Sequence, residues 1–418
     1  MSRRQTSQQR KGNLMRGKGR NIGILFFTLV VVMLGFGMVI PILPYYIDAF
    51  GAGGGAMGML MAIYALMQFF FAPVWGDLSD RFGRKPILLI GVLGNALSQV
   101  LFGLSTSLEM LFVARALAGI LSSATLPTAM AYIGDSTSDE ERGGGMGILG
   151  AAMGVGMVIG PGIAGWLAQD ALSTPFFVAA ALSTLALLLI AAMLPESLPV
   201  ERRTTEGRKL RGPQLGAMWR ALLGPLGVLM VLAFLLSFGM TNFESVFGLY
   251  ALDRYEYGPQ TVGLILMFIG LVSAVMQGAL TGPFSRRWGE SAIIRGSLLV
   301  SAIGFLLMLT AQTLAGVLVT VGVFVVGNAM LRPAVSSLIS RRATVGQGMA
   351  MGLNNSFMSL GRIIGPMWAG FLFDVNIGFP YLSGAVIMLI GLVISAIWLA
   401  GRLPAEQAEA VEQADPAR

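Results

Sequence analysis

The sequence predicts an all-α integral membrane chain of twelve transmembrane helices in two pseudo-symmetric six-helix bundles. Three observations lead there. Of 418 residues, 55% are hydrophobic and only 12% are charged, whereas soluble domains carry about 25% charged residues. The charges gather in short clusters, and the apolar segments between them are about 20 residues long, enough for a helix to cross a bilayer. Signals in the first half of the chain also recur in the second at a nearly constant offset.

Taken in order, the apolar segments place spans at about 22–44, 57–76, 86–104, 109–133, 145–168, 175–194, 222–249, 261–281, 291–310, 314–339, 348–373 and 380–401. The first follows a basic tail, residues 1–21. Its apolar run is too long for a secretory leader and lacks a small-residue cleavage site. Residues 22–194 form the first bundle and 221–401 the second, joined by a basic, polar loop over 195–220. The acidic, Ala-rich tail over 402–418 is expected to be disordered. Lys and Arg gather on segments that share one side of the membrane. Only Arg254 falls on the other side, and Arg115, Arg332 and Arg362 lie within spans. The positive-inside bias then puts both termini in the cytoplasm, as in a multi-pass protein of the cell membrane.

Composition also excludes chemistry. The chain has no Cys and no His, which removes disulfides, thiolate and imidazole metal sites and histidine proton relays. No metal site is expected, and proton handling falls to carboxylates. No G-x-x-x-x-G-K-[S/T] phosphate loop occurs. No catalytic constellation is present either, so neither an enzyme nor a cofactor is predicted. The formal charge of +7 fits cationic loops facing anionic lipid better than a nucleic-acid partner.

Two segments repeat. Gly160-Pro161-Gly162-Ile163-Ala164-Gly165 returns as Gly365-Pro366-Met367-Trp368-Ala369-Gly370, 205 positions on, and the loop Gly76 to Lys85 returns degraded as Gly282 to Glu290, 206 positions on. Parallel six-helix repeats place a substrate site at the membrane midplane between halves that rock around it.

Four motifs carry a resemblance to the major facilitator superfamily, and within it to the drug:proton antiporters that include tetracycline, quinolone and multidrug efflux transporters. The resemblance spans about residues 22–401. Residues Gly76 to Lys85 match the signature G-x-L-x-D-R-x-G-R-K. It implies a conformational latch formed by Gly76, Asp80, Arg81, Gly83 and Arg84, with Gly83 permitting a tight turn at positive φ. Arg115 to Gly119 match R-x-x-x-G, whose arginine is implicated in proton coupling. Burying it costs about 2.5–3.5 kcal/mol on insertion scales, so it should face the bundle interior and have a partner; a structural ion pair is the alternative. Gly150, Gly154, Gly156, Gly160, Pro161 and Gly165 match the antiporter signature of helix five, a tight seam credited with preventing ion leak, and this points to export. The fourth and weakest motif is Gly35 to Pro44, which resembles G-x-x-x-P-x-L-P.

Glu244 in span seven is the best acidic candidate, with an interfacial acid near the outer helix end as the alternative. It resembles the acid that contributes to protonation and substrate binding in quinolone and multidrug pumps, and an acid in an apolar cavity can carry a proton near physiological pH. The pattern departs in span ten, where an aspartate is expected and Ala329 stands, so the two-acid coupling of those pumps does not carry over. Gln68 matches a pocket glutamine of similar pumps. Phe243, Asn328 and Asn354 complete the candidate substrate contacts, with helix-to-helix hydrogen bonding as the alternative role for the polar ones. The reading is a proton-driven exporter of amphipathic small molecules, working as a monomer by alternating access and conferring antibiotic resistance. The alternative is a transporter of a natural metabolite such as a sugar or amino-acid derivative.

Overall fold

A computed structural model gives the fold. It describes residues 2–204, 212, 215–343 and 346–400; of residues 2–18, 139–140 and 399–400 only the backbone is described. The tail over 402–418 and the middle of the 195–220 loop therefore lie outside the described residues. Among the described residues there are helices and no strands. The helices are α1 (Ser2–Ala49), α2 (Gly54–Phe82), α3 (Arg84–Gly103), α4 (Leu108–Leu121), α5 (Thr125–Ser136), α6 (Asp139–Leu167), α7 (Thr174–Met193) and α8 (Leu215–Leu223). After these come α9 (Gly227–Tyr255), α10 (Pro259–Val275), α11 (Thr281–Trp288), α12 (Glu290–Met308), α13 (Leu314–Arg342), α14 (Gln347–Val375) and α15 (Phe379–Ala400).

A 3-10 turn at Ser122–Ala124 carries α4 into α5, and a π turn at Met276–Leu280 carries α10 into α11. Counted through these turns, and setting aside the short α8, twelve helices among the described residues have the length of a membrane span. Eleven are also apolar enough to cross a membrane by composition. The twelfth, α14, is 29 residues long but spends its apolar character on Asn354, Asn355, Ser356, Ser359 and Arg362. Span seven begins later than the expected residue 222. Turns at Gly224 and Gly227, where the Gly224 and Gly227 amides donate to Ala221 and Gly224 carbonyls, cut off α8, which carries Leu215, Trp219 and Leu223 exposed.

The chain divides into two compact units. Unit 1 takes the described residues of 1–52, 63–213 and 251–270, and unit 2 those of 53–62, 214–250 and 271–418. Each unit thus contains a helix segment from the other half of the sequence: the first turns of α2 belong to unit 2, and the tip of α9 with most of α10 to unit 1.

In unit 1 a core of Leu25, Leu29, Leu88, Val92, Tyr132, Ile133, Ala186 and Ile190 joins α1, α3, α5 and α7. In unit 2 the centre is aromatic. Phe243 meets Phe247 and Phe324 at centroid distances of 4.9 and 5.2 Å, and Phe305 meets Phe324 at 4.4 Å. Such pairs add about 0.5–1.5 kcal/mol each beyond area burial. The repeat is visible in the helix caps as well. The Ser107 hydroxyl accepts from the Met110 amide at the start of α4, and Thr313, 206 positions on, accepts from the Gly316 amide at the start of α13.

Candidate functional site

The signature segment is not a loop in the structure. α2 continues helically to Phe82, α3 begins at Arg84, and Gly83 alone joins them. A one-residue joint works because Gly83 lies at φ 105°, ψ 163°, a region only glycine enters without strain. A Cβ at this position would also press on the Glu196 carboxylate, which would have to turn aside. The Glu196 carboxylate accepts from the Arg84 and Lys85 amides at 2.8 and 3.2 Å. It so satisfies donors that a helix N-terminus otherwise leaves unpaired. It also accepts from the Ser197 and Leu198 amides, each at 3.0 Å.

Arg84 is buried and holds the joint from the other side. Its Nη1 donates to Asp80 Oδ1 and to Ser79 Oγ, and its Nε donates to Asp135 Oδ2 at 2.8 Å. Of these partners Asp80 belongs to the latch set that the signature implies, and Asp135 and Glu196 lie outside it. The second half contains the counterpart with reversed charge. Gly289, 206 positions after Gly83, lies at φ 76°, ψ 155°. Glu290 and Arg341, each 206 positions after Arg84 and Asp135, form a 3.2 Å ion pair. Glu290 also accepts from the Ser337 hydroxyl.

The glycines of α6 divide into two groups. Gly156 and Gly160 lie against α1: Cβ atoms there would fall 2.7 Å from the Val30 carbonyl oxygen and 2.9 Å from that of Leu34. Gly165 lies against α10, where a Cβ would meet the Pro259 oxygen at 2.5 Å. Pro161 takes part in both contacts, its ring against Gly37 and its carbonyl against Gly263. Gly150 and Gly154 approach nothing within 4 Å. Unit 2 repeats the plan 205 positions on. Gly361 and Gly365 lie against α9, and Gly370 and the Pro366 carbonyl against Gly54 and Gly58 of α2. The α2 segment is fastened further by Asp374, whose two carboxylate oxygens accept from the Gly54 and Gly55 amides at 2.6 and 2.8 Å.

Arg115 is 2% exposed. Its guanidinium lies 4.9 Å from the Tyr64 ring centroid, 5.8 Å from Phe36 and 6.0 Å from Phe102. The partner expected of a buried arginine is thus in part an aromatic cage drawn from α1, α2 and α3, a cation–π setting worth about 2 kcal/mol when desolvated. Gln68, half-buried, is also in unit 1. Glu244 belongs to unit 2, so the structure does not bring the two expected coupling residues into one compact unit.

Glu244 is half-buried on α9. One turn before it, the Thr241 hydroxyl donates to the Gly361 carbonyl of α14 at 3.1 Å. The other expected substrate contacts in unit 2 lie on α9, α13 and α14. Phe243 is fully buried in the aromatic centre. Asn328 donates to the Leu236 carbonyl, and Asn354 donates to Ser336 Oγ. Both asparagines are buried, and Asn354 Oδ1 accepts no hydrogen bond among the described residues.

Twelve membrane-length helices on a repeated six-helix plan, with a glycine joint and two glycine seams at matching positions, define a major facilitator transporter. The chain belongs to the Major Facilitator Superfamily, whose model matches residues 25–345 and 229–417. Among its relatives, Multidrug resistance protein 1 of Bacillus subtilis (strain 168) is 35% identical, over 92% of this chain and 98% of its own length. Quinolone resistance protein NorA of Staphylococcus aureus (strain COL) is 31% identical, over 90% of this chain and 96% of its own. The fold is also that of the human organic anion transporter MFSD10 (TETRAN), with a TM-score of 0.66 at 23% identity, over 90% of this chain and 99% of that one. The nucleoside transporter NupG gives a TM-score of 0.72 at 16% identity, over 92% and 98%.

Proposed function

We propose that this protein is a proton-driven exporter of amphipathic small molecules, acting as a monomer in the cell membrane with both termini in the cytoplasm. The observation that carries the reading is full-length similarity to multidrug and quinolone resistance proteins. The sequence and site support it. With no His or Cys in the chain, the coupling proton needs a carboxylate, and Glu244 is half-buried within α9, away from the helix ends where Asp77 and Asp253 fall. Arg115 supports coupling from unit 1, and Gln68, Phe243, Asn328 and Asn354 contribute to substrate contact. The Gly83 joint, with Gly76, Asp80, Arg81 and Arg84, and the Gly156, Gly160, Pro161 and Gly165 seam serve as the elements that switch between access states.

The test is a dye and drug efflux panel in a pump-deficient bacterial host, with and without a protonophore, repeated with Glu244→Gln. Wild-type efflux should stop on adding the protonophore. The amide variant, fixed in a protonated-like form, should lose uphill efflux while still reaching the membrane. Efflux indifferent to the protonophore, or uphill efflux by Glu244→Gln at the wild-type rate, refutes proton coupling through this acid.

A further inference from the structure

The polar residues that make α14 the least apolar span are not scattered. Asn355, Ser359 and Arg362 follow at spacings of four and three, which places them on one helix face. They are also linked along it: the Ser359 hydroxyl donates to the Asn355 carbonyl at 2.9 Å, and Arg362 Nη2 donates to Ser359 Oγ at 3.0 Å. Arg362 is exposed in the structure. An arginine within a span is too costly to leave against lipid and lines a bundle interior or a watery cavity.

Glu244 lies further along the neighbouring helix. α9 and α14 touch backbone to backbone on its N-terminal side, with Gly361 against the Phe234 carbonyl and the Phe238 amide, and Gly365 against the Phe238 carbonyl. The Thr241 hydroxyl, 2.9 Å from the Ser237 carbonyl of its own helix, also lies 3.1 Å from the Gly361 carbonyl of α14. Glu244 stands three residues after Thr241, and Arg362 one residue after Gly361. Unit 2 therefore presents one negative and one positive group on neighbouring helices, in the chain that has Ala329 where a second acid was expected.

We infer that Arg362 is a specificity-determining residue, binding the carboxylate of zwitterionic amphiphiles whose cationic group pairs with Glu244. The inference rests on the export reading and narrows its substrate class. A simple cation meets attraction from Glu244 and repulsion from Arg362. A zwitterion of matching length satisfies both, and a guanidinium is well suited to hold a carboxylate by two parallel bonds. The proton and the substrate's cationic group then compete for one carboxylate, the mutual exclusion an antiporter requires, while Arg362 adds affinity without entering that competition.

The test uses full-length protein in nanodiscs and a matched pair of xanthene dyes, one with a free carboxylate and one its methyl ester, with binding followed by fluorescence polarisation. Wild type should bind the carboxylate dye more tightly than the ester. Arg362→Gln should weaken the carboxylate dye about tenfold, the order of one charge-assisted hydrogen bond, and leave ester binding equal or tighter. Arg362→Lys should keep much of the preference. A wild-type protein that binds the two dyes equally, or binds neither, overturns the inference without any variant. So does an Arg362→Gln protein that binds the ester normally and still prefers the carboxylate dye. Efflux of the same dyes from cells separates the two readings. Discrimination in binding with no uphill efflux rejects export alone, and uphill efflux without discrimination rejects the role of Arg362 alone.

Discussion

Replacing Gly83 by alanine tests whether the joint between α2 and α3 is held by geometry or merely by sequence. Two costs add. An alanine at φ 105°, ψ 163° bears about 1–3 kcal/mol of backbone strain. Its Cβ, 2.4 Å from Glu196 Oε2, must also turn the carboxylate away and break its bond to the Lys85 amide, about 1.5–3 kcal/mol for a hydrogen bond to a charged group. Gly289 provides the internal control. It occupies the same backbone region, yet nothing lies within 4 Å of its Cβ position, so Gly289→Ala should cost the strain alone. The measurement is unfolding free energy by SDS titration in mixed micelles, for both variants and for each combined with Glu196→Ala. Gly83→Ala should exceed Gly289→Ala by about 1.5–3 kcal/mol. The excess should vanish in the Glu196→Ala background, where the clash and the lost bond are both gone. Equal costs at the two glycines, or an excess that survives removal of Glu196, would show that the carboxylate does not hold the joint.

Three further outcomes follow from the geometry. Glu290→Arg and Arg341→Asp should each reduce stability, and the double variant should recover most of it, because the equivalent positions Arg84 and Asp135 already hold that polarity; a double variant no better than the worse single would refute the equivalence. Gly58→Ala and Gly263→Ala place a Cβ 2.2 and 2.4 Å from the Pro366 and Pro161 oxygens, so each should cost about 1–3 kcal/mol by overpacking and slow transport. Gly150→Ala and Gly154→Ala should do neither, and equal effects at all four sites would count against the seam. Arg115→Lys should lower stability by about 1 kcal/mol, since an ammonium gains less than a planar guanidinium from an aromatic cage. Thermal denaturation of the purified variant checks this, and an unshifted midpoint would mean that the rings contribute nothing.

Much of the architecture was legible because a span is decided by local composition. The apolar runs and the charge clusters between them fixed twelve helices before any contact was known, and the two repeated motifs gave the right offset for joints, seams and caps alike. What escaped depended on partners far away in the chain. Nothing near Glu196 marks it as the cap of a helix that begins 112 residues earlier, because one carboxylate in a polar loop carries no periodic signal. Asp135 was recoverable in principle: Glu290 and Arg341 repeat the Arg84 and Asp135 positions with both charges reversed, and a paired reversal at one offset indicates contact. Gly83 was read as a turn within a loop, since a sequence does not show that one residue can serve as the whole connection. The packing of Phe243 against Phe324 and the bond from Asn328 to the Leu236 carbonyl join residues far apart in the chain, and no local signal announces either.

The fastening of α2 by Asp374 bears on how the chain is made. The acceptor for the first amides of the second span is supplied 320 residues later. At synthesis rates of about 5–20 residues per second, translation to that point takes roughly 15–60 s. Throughout that interval the Gly53-Gly54-Gly55 end of α2 has only water or lipid headgroups to hydrogen-bond, and the α2 segment of unit 2 cannot reach its place. The nascent protein therefore carries an unfinished helix end for most of its synthesis, and a chain truncated before α14 leaves that end incomplete even with every earlier span inserted.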